Sequence, residues 1–219
     1  MPITSTPRPH RLMCATCLRP QSACLCPWVR PTAHAVEVLI LQHPLEVAQA
    51  KGSARLLHLS LHKSRLVTGE VFEESTLHAL LNAPFEPHSG PPQPQYTLLL
   101  YPDTPADASL PLVSPPILEA RHLNPPSTLR LVVLDGTWRK SRKMLYLNPL
   151  LQALPRLALC DLPPSHYLIR KAHRPDQRST LEATCAALAQ LEGDTGQFAA
   201  LMDAFDGFVA QRAKYSVPH

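Results

Sequence analysis

Four of the six cysteines fall close together, as Cys14-x2-Cys17-x6-Cys24-x-Cys26. Tetrahedral zinc takes four soft ligands, and closely spaced cysteine pairs supply two from each turn. The spacing points to a closed structural zinc site made by Cys14, Cys17, Cys24 and Cys26, with free or redox-active thiols as the competing reading. His10 and His34 are near enough in sequence to replace one of the four. Cys160 and Cys185 sit in apolar runs, which suits buried core thiols.

A second set of residues is polar and follows apolar runs. Asp135-Gly136-Thr137-Trp138 comes straight after LRLVVL at 129–134. A carboxylate, a hydroxyl and a large aromatic at such a place have the makings of a site. Taken alone, they read equally well as a helix cap and a core tryptophan. Gln42-His43-Pro44-Leu45-Glu46 follows the first apolar run, Tyr101-Pro102 a later one, and SHYLIRK at 165–171 and STLEA at 179–183 come near the end. The net charge is only +4, yet residues 139–178 carry nine Lys or Arg and two Asp. A polyanion binder concentrates charge in this way, and so does a solvated basic face.

These residues need elements to position them. Strands are expected at 35–41, 65–67, 96–101, 129–134 and 157–160, with another short one at 167–170. Helices are expected at 45–61, at 75–82 with Ser75 as N-cap, and at 139–154. Ser179 and Glu182 fit a capping box ahead of a helix striped by Leu181, Cys185, Leu188 and Leu191. A last helix spans 194–214, and its apolar residues suit a core or an interface, so the oligomeric state stays open. Segments 84–95 and 103–126 are Pro-rich, the second with a short helix near 117–121. Alternating strands and helices predict an α/β fold with a mostly parallel sheet, whose ligands lie beyond the carboxyl ends of the strands. A chain of 219 residues suits a Cys-rich segment at 1–32 and one domain at 33–219.

Several function classes are disfavoured. The chain has 25 Pro and only 7 Gly, and no glycine spacing gives GxGxxG or GxxxxGK[ST]. A glycine-rich dinucleotide turn and a P-loop are therefore not expected. No apolar run is long enough to cross a bilayer, and residues 1–12 lack the apolar region of a secretory signal. A soluble, cytoplasmic protein with no membrane partner is expected.

The cysteine cluster, QHPLE, YP, DGTW, the late RK and STLEA, in this order, resemble the DTW-domain proteins, over roughly residues 14–183. Each motif is weak alone; the ordered set is specific. The resemblance implies a SPOUT-like, knotted α/β enzyme that binds S-adenosylmethionine (SAM). It implies the activity of a bacterial tRNA-uridine aminocarboxypropyltransferase, which moves the 3-amino-3-carboxypropyl group of SAM to N3 of a tRNA uridine. The variable loop is the implied target region, and methylthioadenosine is the leaving product. A SAM-dependent RNA methyltransferase and a non-catalytic, zinc-containing RNA-binding module are the alternatives.

On that resemblance each residue takes an expected role. Asp135 is the expected base toward the uracil imide, or else orients its N–H or holds the SAM ammonium. An ordinary aspartate, with a pKa near ~3.9, is a weak base at neutral pH unless burial raises it. Tyr101, Pro102, Thr137, Leu162, Tyr167, Ser179 and Thr180 are expected around the donor. Thr137 and Ser179 also read as helix caps, and Tyr101 as a strand end. On the tRNA side, Trp138 is expected to stack on the uracil or to fill the core. Gln42 and Glu46 are expected in the pocket with no assigned role. Arg139, Lys140, Arg142 and Lys143 are expected on phosphates, and Arg170 and Lys171 on a phosphate or the SAM carboxylate.

Overall fold

Five strands form one sheet in the order β2-β1-β4-β3-β5, and every neighbouring pair is parallel. They are β1 (Glu37–Gln42), β2 (Ser64–Thr68), β3 (Tyr96–Leu100), β4 (Leu129–Asp135) and β5 (Arg156–Leu157). The computed structural model describes residues 12–49, 52–85, 95–102, 113–159 and 178–214. β1 and β4 are buried along their whole lengths, as strands covered on both faces must be.

Alternate residues of these strands point into two apolar layers. Val38, Ile40, Leu131 and Val133 face α1 (Ala54–Ser60), α5 (Thr180–Glu192) and α6 (Ala199–Lys214). Leu39, Leu41, Val132 and Leu134 face α2 (Glu74–Asn82), α3 (Trp138–Leu147) and α4 (Pro149–Gln152). Leu201, Phe205, Phe208 and Val209 of α6 are buried in the first layer, so the last helix serves the core. Fully burying each such side chain is worth about 1.5–3 kcal/mol. Cys17, Leu25 and Trp28 join the same layer, so the cysteine segment packs on the sheet's helices. A Cβ on Gly207 would lie 2.2 Å from the Trp28 ring, so glycine is what allows α6 to approach that ring.

The α/β class and the parallel sheet agree with expectation; several elements do not. The helix expected at 45–61 forms only over Ala54–Ser60, because Pro44–Glu46 is a short 3-10 turn and Gly52 intervenes. Glu73, not Ser75, caps α2: its carboxylate accepts from the backbone N–H groups of Ser75 and Thr76. The helix expected at 139–154 is split at Asn148, ahead of Pro149. Pro149 lacks the N–H a continuing helix needs. Asn148 donates to the carbonyls of Glu70 (2.9 Å) and Met144 (2.6 Å) and so fixes the break. β5 is only two residues long, and the helix expected near 117–121 is a 3-10 turn at Ala120–Leu123. The strand expected at 167–170 and Cys160 lie outside the described residues. Cys185 is buried, as expected, and burial pushes its thiol up to about 12.

One buried ion pair was not foreseen. Arg130 and Glu37 face each other across β4 and β1, and Arg130 is fully buried. Its Nε donates to Glu37 Oε2 at 2.9 Å, its Nη1 to the Leu80 carbonyl at 2.9 Å, and its Nη2 to the Ala83 carbonyl at 2.7 Å. The guanidinium also lies over the Phe85 ring. The pair thus joins two strands to the end of α2.

Candidate functional site

The connection from β1 runs outward to β2, and the connection from β4 runs the other way, over β3 to β5. In open parallel sheets the crevice at such a reversal, past the strand carboxyl ends, is where ligands bind. Here the reversal falls between β1 and β4, and their last paired residues are Gln42 and Asp135.

Asp135 is buried, and each of its oxygens accepts a hydrogen bond from a side chain. Gln42 Nε2 donates to Oδ2 at 2.8 Å, and Thr180 Oγ1 donates to Oδ1 at 2.6 Å. The structure therefore brings together three residues expected from three separate motifs. Ser179, just before Thr180, caps α5 in the expected capping box with Glu182. Thr137 caps α3 by accepting from the Lys140 backbone N–H at 3.4 Å.

Beside this cluster, Tyr101 and Trp138 stack, with centroids 5.2 Å apart and planes 15° from parallel. Trp138 is 50% exposed, so it is a surface platform and not a core residue. Tyr101 is buried. Burial holds its phenol above the usual value, so it stays neutral. Pro102 is exposed next to it.

The basic residues of α3 divide into two groups. Lys140 turns inward to Glu46, Nζ to Oε1 at 2.8 Å, so these two expected tRNA-side residues bind each other. Lys143 reaches Glu70 at 3.0 Å, and Arg139 is exposed. Arg142 is partly buried. Glu70 also accepts from His43 Nε2 at 2.9 Å, while His43 Nδ1 accepts from the Leu45 N–H at 3.1 Å. His43 and then Lys143 hold the Glu70 carboxyl below the usual carboxylate range. Glu70 was missed in the sequence, although a carboxylate just past a strand's carboxyl end is a usable signal. Arg156, whose guanidinium lies 5.4 Å from the Tyr101 ring centroid, was also missed. Leu162, Tyr167, Arg170 and Lys171 lie outside the described residues.

The second centre is the cysteine cluster. The sulfurs of Cys14, Cys17, Cys24 and Cys26 all lie within 4.8 Å of one another. Cys14 and Cys26 are 3.6 Å apart and Cys17 and Cys24 3.7 Å, too far for disulfides. A tetrahedral metal with ~2.3 Å bonds to sulfur sets its ligands about 3.8 Å apart, so the four thiols fit one. The Cys17 backbone N–H helps hold the Cys14 thiol down at about 6, whereas burial pushes Cys26 up to about 12. His34 is not a substitute ligand: its Nδ1 meets the Val36 carbonyl at 2.7 Å, and its Nε2 accepts from the Lys63 N–H at 3.1 Å. His10 lies outside the described residues. Arg19, inside the cluster, donates to the carbonyls of Gln49 (2.9 Å) and Gly52 (3.1 Å), in the loop that follows Glu46.

No helix among the described residues is long and apolar enough to cross a membrane. No solved structure gives a significant match to the chain. Curated relatives do. The chain is 33% identical over 194 residues to the Drosophila melanogaster protein named tRNA-uridine aminocarboxypropyltransferase 2, a match covering 87% of this chain and 70% of that one. It is 31% identical to the Mus musculus protein of the same name, over 84% of this chain and 57% of that one. It is 29% identical to tRNA-uridine aminocarboxypropyltransferase A of Arabidopsis thaliana, over 62% of this chain and 50% of that one. These relatives are eukaryotic, so the bacterial attribution rests on the motif resemblance alone. The family profile described as DTW domain matches residues 11–213, a span that holds the thiol cluster and the Asp135 crevice. The chain belongs to the DTW domain family.

Proposed function

We propose that the protein transfers the 3-amino-3-carboxypropyl group of SAM to N3 of a tRNA uridine, with the variable loop as the target region, and releases methylthioadenosine. The observation that carries this reading is Asp135, buried at the β1–β4 reversal with Gln42 and Thr180 on its two oxygens, in a chain whose relatives bear the activity's name. In the reaction N3 loses its imide proton and bonds to the methylene next to sulfur. The C–S bond breaks, and its electron pair stays on sulfur as neutral methylthioadenosine. Asp135 is the proposed acceptor of the imide proton, which then passes to solvent.

In this reading the donor side takes Tyr101, Pro102, Thr137, Leu162, Tyr167 and Ser179, and the tRNA side takes Trp138, Arg139, Arg142, Lys143, Arg170 and Lys171. Gln42 and Thr180 serve the site through Asp135, and Glu46 and Lys140 through the ion pair between them. The open face of Trp138, stacked on Tyr101, suits a base turned out of its own stack. The all-parallel sheet suits a SPOUT-like, knotted catalytic domain at 33–219, working in the cytoplasm. The segment at 1–32 is the proposed metal-binding unit, with zinc as the ion favoured by four thiols. Zinc there would serve structure and takes no part in the transfer.

The test uses SAM labelled separately in its methyl and carboxyl carbons, with an unmodified tRNA transcript. Carboxyl label entering RNA, with methyl label leaving in methylthioadenosine, supports the proposal. Methyl label in RNA makes the protein a methyltransferase, and absence of SAM binding makes it an RNA-binding module. Asp135→Ala is expected to lose transfer and keep SAM binding.

A further inference from the structure

Gln42 was expected in the pocket with no assigned role and Thr180 around the donor, and the structure places the polar groups of both on Asp135. Gln42 is the last residue of β1 and Thr180 the first of α5, so the donors come from different elements and reach different oxygens, at 2.8 and 2.6 Å. One donor would leave a carboxylate able to rotate; one on each oxygen fixes its plane. A hydroxyl has a single proton, so a Thr180 that donates to Asp135 donates to nothing else.

The surroundings hold Thr180 in place. Its β-branched side chain has few rotamers, and the Ser179–Glu182 capping box fixes the turn that carries it. The Leu181 N–H donates to Ser53 Oγ at 3.4 Å, and Thr184 Oγ1 donates to the Thr180 carbonyl at 2.7 Å. As the first residue of a 13-residue helix, Thr180 also brings the positive end of the helix dipole to the carboxylate. Gln42 and Asp135 are both buried, where an ionised carboxylate needs donors to be tolerated. The charged residues on the elements bounding the crevice include Lys140, paired with Glu46, and His43, paired with Glu70. Arg139, Arg142 and Lys143 on α3, Arg178 just before α5 and Glu182 near its start are the others on those elements, while Glu192 ends α5 and the Glu37–Arg130 pair lies at the opposite ends of β1 and β4.

We infer that Gln42 and Thr180 are positioning residues, which fix the carboxylate plane of Asp135 at the β1–β4 crevice, where it takes up the imide proton. This rests on the proposed transfer reaction for its purpose, but not for its geometry. Thr180 then serves the donor side through the acid it orients, and its hydroxyl proton goes to Asp135 and not to SAM.

The experiment compares full-length wild type with Thr180→Val, Thr180→Ser and Gln42→Leu. The first readout needs no substrate: a 13C carboxyl NMR titration of Asp135, its signal assigned with Asp135→Asn. Removing a donor to the ionised form should raise the midpoint by about one pH unit in Thr180→Val and in Gln42→Leu. Thr180→Ser should restore the wild-type midpoint. The second readout is transfer from SAM to tRNA. Thr180→Val should lower kcat about tenfold, leave the KM for SAM within about twofold, and move the pH–rate profile up with the NMR midpoint. An Asp135 midpoint unmoved in both Thr180→Val and Gln42→Leu overturns the inference. So does a Thr180→Val protein with raised KM for SAM and unchanged kcat, which would make Thr180 a donor contact. A wild type that transfers nothing while the midpoint still moves overturns the proposed reaction and leaves the positioning of Asp135 standing.

Discussion

The rings of Trp138 and Tyr101 lie nearly parallel, one half exposed and the other buried, so a single aromatic step leads from the surface to the end of β3. A tryptophan in that position costs little to remove from the fold. Trp138→Ala should shift stability by less than about 1 kcal/mol and sharply raise the KM for tRNA, while Trp138→Phe keeps most of the binding. The chain has only two tryptophans, and Trp28 packs against Gly207. RNA-dependent quenching should therefore vanish in Trp138→Ala; quenching that persists would remove Trp138 from the tRNA surface.

Exposure separates the basic residues of α3. Arg139→Ala should flatten the slope of log affinity for tRNA against log salt by roughly 0.7–0.9, the effect of losing one phosphate contact. Lys140→Ala should leave that slope unchanged, because its ammonium is already paired with Glu46. Filter binding at several salt concentrations measures both, and equal slope changes would refute the distinction.

Purified protein should hold about one metal ion per chain, released by Cys14→Ser or Cys26→Ser. Ligand thiols must give up their protons to bind, so affinity should rise with pH. Metal analysis after dialysis at several pH values tests this, and metal content independent of the cysteines would exclude the site.

The Arg130–Glu37 pair predicts an asymmetry. Glu37→Ala leaves a fully buried guanidinium short of its partner and should cost about 3–5 kcal/mol in denaturant unfolding. Replacing both residues by apolar side chains of similar volume should recover much of that loss. A single variant as stable as the wild type would show that the carbonyls of Leu80 and Ala83 suffice for Arg130.

Much of the site was legible because its parts are local. The capping box at Ser179 and Glu182, the carboxylate after a buried strand and the close thiol spacing each lie within a few residues of chain. What was not legible depends on distant partners. Gln42 could be placed near a pocket, but that its amide meets Asp135 depends on the register of β1 against β4. Lys140, expected on phosphates, and Glu46, expected in the pocket with no assigned role, bind each other across the crevice. Helix lengths failed where side chains override periodicity: Asn148 ends α3 by bonding to the Glu70 carbonyl, far off in sequence. That Arg130, inside the apolar run at 129–134, is paired depends on the register that sets Glu37 opposite it.

Arg19 has a bearing on how separable the cysteine segment is. Its guanidinium grips two carbonyls of the loop behind Glu46, and Cys17 and Leu25 are buried with the helices of the sheet. A protein begun at residue 33 would therefore lose a piece of its own interior and the strut behind its reaction crevice. The segment is a buttress, and it cannot be traded between relatives like a detachable tag unless the loop it braces is exchanged with it.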